Sequence, residues 1–351
     1  MDRNFVRTAM TPRERSEAYK KRQSLDRYPC GLMFGPAMAG FINVKTKDYY
    51  HSPELLAKLD IELFKKFNQD GAGLSITLHG IAEALGAEIA YPDYGIAYLN
   101  KPAISSLDDV SKLKPINPLK DGRIPTVLKG LAIDQKELGE FVDVGLSIAG
   151  PFSSAASVVG TKTLLKGALR RPDKVHELLE IVTESLFNII DEASKLGVSF
   201  CIPDPVSSTT LISKGLYEKF SFPYVKRIQE KVISKTGSSA AIHICGKSKD
   251  LWDMVVETGC DCFSIDNIED LAEAKKLIGD KVCLIGNVSP VDIMRYGTEE
   301  DVMKDAKKCI DKAWDSPNGF LLNTGCDLPT GTPVENMNAM LNAATIYNPF
   351  K

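Results

Sequence analysis

His243-Ile244-Cys245 and Cys326, 81 positions further on within Asn323-Thr324-Gly325-Cys326-Asp327, are the residues in this chain best suited to metal chemistry. One imidazole and two thiolates form a nitrogen–sulfur donor set that suits zinc better than magnesium or calcium. Three protein ligands also leave one coordination position for a substrate, which separates a catalytic zinc from a structural one.

These side chains must be brought together by the elements that carry them. Apolar runs bounded by Gly, Pro, Asn or Asp recur at 31–34, 74–77, 144–149, 200–202, 240–244, 262–265, 282–285 and 320–323. Most are nearly continuous, as expected of parallel strands buried on both faces. Helical patterns lie between them. Thr11-Pro12-Arg13-Glu14 opens one with a capping box, and Ser52-Pro53 opens another that is expected to close at Gly71. A third is interrupted at Pro172 and ends at Gly197. Eight strands alternating with helices predict an α/β fold, a (β/α)8 TIM barrel, as one domain over residues 1–351. The stretch 78–141, after the second strand, is too long for a simple crossover and reads as an elaborated insertion.

His243 and Cys245 are two apart, so they share one face at the C-terminal end of the fifth predicted strand. Cys326 follows the eighth. In a barrel both positions lie on the catalytic rim. Cys260 and Cys262 offer a competing, closed knot, but they enter their strand at its opposite end. A five-residue strand separates those ends by roughly 16 Å, too far for zinc–sulfur bonds of about 2.3 Å. Cys30, Cys201, Cys260, Cys262, Cys283 and Cys309 therefore read as small buried or half-buried residues. The pattern alone leaves a second reading of His243 and Cys245 open, a satisfied core histidine beside a buried thiol.

Other rim residues are candidates by position. Asp266 is the first choice for a fourth, displaceable metal ligand and Asp327 the second. Asp266 could instead cap the segment after it. Asp204, Asn287 and His79, with Glu83 behind His79, are candidate substrate-pocket residues, and Asp204 and Asn287 could equally be turn residues.

Composition sets limits. The 351 residues are 44% hydrophobic and 25% charged, with a formal net charge of -3. No Lys/Arg block favours nucleic acid, and no run of about 20 apolar residues suggests a membrane span. MDRNFVRTAMTPRER has no apolar core of the signal-peptide type. Eight cysteines are too few for a disulfide scaffold, so a reducing, cytoplasmic setting is expected.

HICG at 243–246 and NTGCDLPTGTPVEN at 323–336 carry a family resemblance. AEALGAE (82–88), GPF (150–152), the 204–228 stretch from DPVSS to YVKRI, and IGNVSP (285–290) support it. The chain resembles the uroporphyrinogen decarboxylase superfamily and, within it, the methylcobalamin:thiol (coenzyme M) methyltransferases. That resemblance implies a barrel, zinc held in an HxC…C pattern, and methylcobalamin as donor. One departure matters. Porphyrinogen decarboxylases carry an arginine-rich segment after the first strand, whereas LMFGPAMAGFINV (32–44) has no arginine to pair with porphyrinogen carboxylates.

The donor set fits methyl transfer to sulfur. Two thiolates cancel the metal charge, and a bound thiol substrate becomes a thiolate that stays nucleophilic. The base-off cobalamin motif DxHxxG is absent, so the methyl group is expected to arrive on a separate corrinoid protein docking transiently at the mouth. Coenzyme M is the first acceptor considered. Homocysteine or tetrahydrofolate, a donor-side demethylation, a decarboxylating lyase and a zinc-stabilised scaffold are the competing readings.

Overall fold

The computed structural model describes residues 9–351. Residues 1–8, where part of the expectation about a leader segment falls, lie outside them. Nine strands are formed: β1 (Ala72–Ser75), β2 (Glu88–Ala90), β3 (Tyr98–Lys101), β4 (Val144–Ser147), β5 (Ser199–Pro203), β6 (Ala241–Ile244), β7 (Cys262–Ile265), β8 (Cys283–Val288) and β9 (Phe320–Thr324). Seven of them make one curled parallel sheet in the order β1-β4-β5-β6-β7-β8-β9. Helices connect successive strands, as parallel pairing requires.

Seven of the eight predicted strands are therefore present in the sheet, and the first is not. Near it only Cys30 forms a parallel bridge, to Leu322 of β9. The N–H of Gly31 donates to the Leu322 carbonyl and the Leu322 N–H to the Pro29 carbonyl. The ladder stops there for a local reason. Pro29 has no N–H to give. The N–H of Cys30 goes to the Asp70 carboxylate and that of Leu32 to the Gln69 side chain. Side-chain acceptors have replaced a neighbouring strand.

The helix starts follow their sequence signals. Thr11 caps Pro12–Lys20 with both halves of the capping box, and the Ser52 hydroxyl accepts the Leu55 N–H at the start of Pro53–Phe67. That second helix ends earlier than Gly71. Asn68 takes the left-handed conformation (φ 46°) and closes it, a role asparagine can fill in place of glycine. Pro172 divides Thr161–Arg170 from Pro172–Ala193, and Gly197 (φ 71°) ends the turn that follows.

The 78–141 stretch holds a short helix (Gly80–Ala84), the antiparallel β2–β3 hairpin, a 3-10 turn (Leu107–Lys112) and the helix Ile124–Leu138. The last of these packs on β1 and on helix Pro53–Phe67. A side chain added at Gly130 would strike Leu74 and Leu56. Buried apolar residues form one contiguous cluster running from Tyr28 to Ala344, with Ala87, Ile104, Leu107 and Ile116 of that stretch included.

The strands are not buried on both faces. Leu74, Leu146, Phe200, Ile202, Ile242, Phe263, Leu284 and Phe320 on the helix-covered face are buried. Ser75, Ser147, Cys201, Ala241, Cys262, Cys283, Ile285 and Leu321, which alternate with them, are only half-buried. The inward residues are mostly too small to fill the concave side, so that face stays open.

Candidate metal centre

The concave face is where the chemistry gathers. His243 lies on β6, and Cys245 follows two residues on, so both side chains leave the strand in the same direction. Gly246 then turns the chain at φ +79°, where a side chain would press on the Thr210 hydroxyl at 2.6 Å. Glycine is therefore required on both conformational and steric grounds. The turn is pinned by the Gly246 N–H, which donates to Asp266 Oδ2 at 2.7 Å, and by the Lys247 N–H, which donates to the Thr210 hydroxyl at 3.0 Å.

Cys326 arrives from β9. Gly325 lets that chain end pass close over the loop after β7, since a Cβ there would meet the Asn267 nitrogen at 2.6 Å. The result is convergence from two strands that are not neighbours. His243 Nε2 is 3.0 Å from Cys245 Sγ, and Cys245 Sγ is 3.5 Å from Cys326 Sγ. The three donor atoms all lie within 4.8 Å of one another. Two sulfurs bound tetrahedrally at about 2.3 Å would be roughly 3.8 Å apart, so a small outward movement fits the pair to zinc.

The remaining nitrogen of His243 explains the ring's orientation. Nδ1 lies 3.0 Å from the Ser264 hydroxyl on β7, the strand residue in register with His243. With Nδ1 donating to that hydroxyl, a neutral ring would turn its Nε2 lone pair toward the sulfurs. Nothing in the sequence marks Ser264. Only the pairing of β6 with β7 brings it beside the histidine.

Electrostatics already favour an anionic sulfur here. A hydrogen bond from Cys245 lowers the Cys326 thiol to about 4 against the opposing effect of burial, with His243 helping. The same bond and burial push Cys245 up. Burial works against a protonated His243, yet Cys326 and the nearby carboxylates raise it overall. Asp327 follows Cys326 on the rim and is exposed, with its carboxylate close to Gly35. Crowding, then the Cys326 sulfur, raise it to about 6.

The other predicted residues are placed as follows. Asp266 follows β7 on the same rim, where its Oδ2 accepts the Gly246 N–H and its Oδ1 the Ile268 N–H at 3.0 Å. Asp204 is buried. Its carboxylate accepts the Ser153 N–H (2.9 Å), the Ser153 hydroxyl (2.6 Å) and the Ser221 hydroxyl (2.9 Å), which ties it to the first turn of helix Pro151–Val159. Asn287 donates to the Asp266 and Glu269 carbonyls at 3.0 and 2.9 Å and so holds the loop after β7. His79 lies after β1 with Nδ1 3.0 Å from the Ser157 hydroxyl. That hydroxyl gives its hydrogen to the Leu78 carbonyl, so His79 Nδ1 is the donor and Nε2 carries a lone pair. Burial lowers the His79 pKa and keeps the ring neutral.

Similar proteins carry matching chemistry in their names. A methylcobamide:CoM methyltransferase of Methanosarcina barkeri is 28% identical over 300 residues, covering 84% of this chain and 85% of that one. A second, of Methanosarcina mazei, is 27% identical over 352 residues, covering 97% and 99%. The solved structure of a methyltransferase from Methanosarcina mazei superposes with a TM-score of 0.83 at 23% identity, over 96% of this chain and 99% of that chain, which shows a common fold. The profile described as uroporphyrinogen decarboxylase (URO-D) matches residues 11–347, and with nearly the whole chain matched, the protein belongs to that family.

Proposed function

We propose that this protein is a zinc-dependent methyltransferase that moves a methyl group from a methylated corrinoid carried on a partner protein to a small thiol such as coenzyme M. We read the seven-stranded sheet, with the Cys30 bridge, as a single-domain (β/α)8 barrel in which 78–141 is an elaboration. The carrying observation is the meeting of His243, Cys245 and Cys326 at one point of an open rim. The names of the similar methyltransferases supply the reaction class.

In this reading His243 Nε2 and the sulfurs of Cys245 and Cys326 hold zinc. Zinc held there would supply a Lewis acid that lowers the pKa of an incoming thiol. The chain's own residues do the rest. Ser264 fixes the imidazole, while Asp266 and Asn287 fix the loops that carry Cys245 and its surroundings. Asp266 is the proposed fourth, displaceable ligand, since its two backbone hydrogen bonds leave further lone pairs on the carboxylate. His79 Nε2, neutral and on the same rim, is the proposed acceptor of a substrate hydrogen bond. Asp204 and Asn287 are assigned to shaping the substrate pocket. A thiolate bound there would take the methyl carbon, and the carbon–cobalt electron pair would stay with the corrinoid of the partner protein.

The donor has room to approach. Leu211, Ile268, Val291 and Tyr296 are exposed apolar side chains on the loops after β5, β7 and β8. A small, partly apolar rim suits a transient partner. No described helix is long and apolar enough to cross a membrane.

The test mixes purified protein with methylcobalamin and, in turn, coenzyme M, homocysteine and tetrahydrofolate, and measures zinc per chain. Stoichiometric zinc and loss of the methylcobalamin spectrum with a thiol support the reading. Full activity in a zinc-free Cys326→Ser protein would overturn it, and turnover of a porphyrinogen instead would favour the lyase.

A further inference from the structure

A second pair of sulfurs stands deeper on the same concave face. Cys262 opens β7 and Cys283 opens β8, and the parallel register sets them directly opposite each other. Parallel neighbours in direct register are separated by about 4.8 Å. A disulfide spans Cα separations of roughly 4.4–6.8 Å, and the spacing of paired strands falls within that range. Both side chains face inward. Cys262 is two residues before Ser264, whose hydroxyl touches His243, and Cys283 is two before Ile285, the register partner of Ser264. The thiols thus lie one layer, about 7 Å, below the His243–Ser264 contact.

Neither is sealed off. Cys262 and Cys283 are half-buried, whereas Cys30, Cys260 and Cys309 are buried. The two thiols are also unequal. The neighbouring Cys283 thiol lowers Cys262 against the effects of burial and of Asp261, with Lys20 helping, while Cys262 and burial raise Cys283. One sulfur is suited to attack and its neighbour to resolve.

We propose that Cys262 and Cys283 form a redox-active thiol pair that exchanges with low-molecular-weight disulfides reaching their partly exposed sulfurs. The Cys262 sulfur attacks one sulfur of RSSR. A new S–S bond forms, the old one breaks, and RS⁻ leaves and takes up the proton lost by Cys262. The Cys283 sulfur then attacks Cys262 in the mixed disulfide and expels the second RS⁻, which takes the Cys283 proton. RSSR is reduced to two RSH, and the protein pair is oxidised to one disulfide. The proposal is independent of the methyltransferase reading.

The test must exclude the other close pair, Cys245 and Cys326. Full-length protein and its Cys245→Ser/Cys326→Ser variant are reduced, freed of reductant and incubated with 2-hydroxyethyl disulfide. Remaining thiols are alkylated during denaturation, and non-reducing peptides are mapped by mass spectrometry. The expected product in both proteins is a Cys262–Cys283 linked peptide, lighter by two hydrogens and reversed by dithiothreitol, with fragment ions excluding Cys260. A Cys283→Ser chain is expected to stop at a 2-hydroxyethyl adduct on Cys262. Recovery of both cysteines fully alkylated, or a lasting adduct on Cys262 in the unsubstituted chain, overturns the proposal.

Discussion

The two faces of the curled sheet divide the work of the molecule. On the helix-covered face, residues such as Phe200, Phe263, Leu284 and Phe320 are buried against helices. On the concave face most of the alternating residues, such as Ser75, Ser147, Cys201, Cys262 and Cys283, are small, polar or sulfur-bearing and only half-buried, while His243 and Ser264 are buried. In the proposed reading stability is drawn from one set and reactivity from the other, although both sit on the same strands. Period-two alternation lets neighbouring residues be constrained for unrelated reasons.

Substitution should separate the faces. The largest effect is expected from Cys326→Ser. Methyl transfer from methylcobalamin to a thiol falls below detection and zinc content drops, while the metal-free melting temperature stays close to that of the metal-free parent. A loss of folded structure in this variant would show that the concave face also carries stability. Phe263→Ala probes the other side of β7. Truncating a fully buried phenylalanine costs about 3–5 kcal/mol, read as a lower denaturation midpoint, while the fraction that stays folded keeps its zinc.

Ser264→Ala is the finer cut, one residue along the same strand. The variant removes the partner of His243 Nδ1 but little buried area. Losing such an orienting contact typically weakens metal binding by ~10–100-fold. Competition against a chelator measures this, and the melting curve of the metal-free protein should not move. An unchanged zinc affinity would mean that packing alone fixes the imidazole.

The helix-covered face was the legible one. Runs rich in Val, Ile, Leu and Phe marked seven strands of the sheet, and Thr11, Ser52, Pro172 and Gly197 marked helix ends through local chemistry. The first predicted strand was lost because Asp70 and Gln69 capture the N–H groups that a ladder would use, a non-local substitution that no apolar run reveals. The open concave face was likewise invisible, since inward Ser75, Ser147 and Cys201 look like ordinary members of apolar runs. His243, Cys245 and Cys326 were legible because their side chains are rare donors at strand ends. Ser264 was not, because a serine says nothing until strand register sets it beside an imidazole.

Ionisation sharpens the comparison further. On the open face, hydrogen-bonding neighbours favour the charged form of Cys326. In the helical layer outside β1, Asp60 of helix Pro53–Phe67 and Asp134 of helix Ile124–Leu138 are buried close together, with Tyr49 nearby. Asp60 accepts the Gly73 N–H, whereas neither oxygen of Asp134 has a hydrogen-bond partner among the described residues. Burial raises Asp60 to about 7, and burial with the Asp60 charge raises Asp134 well above the usual carboxylate range. Folded protein therefore holds protons that the unfolded chain releases above about pH 4, so this pair costs stability increasingly as pH rises through 7. Asp134→Asn keeps the shape and removes one ionisable group. The stability difference, variant minus parent, is expected to grow between pH 5 and pH 8, by at most about 1.4 kcal/mol per pH unit while Asp134 stays protonated in the folded chain. Thermal melts at both pH values measure it, and a difference that stays flat with rising pH would show that the buried pair is ionised at little cost, with no contrast between the two faces in how they treat charge.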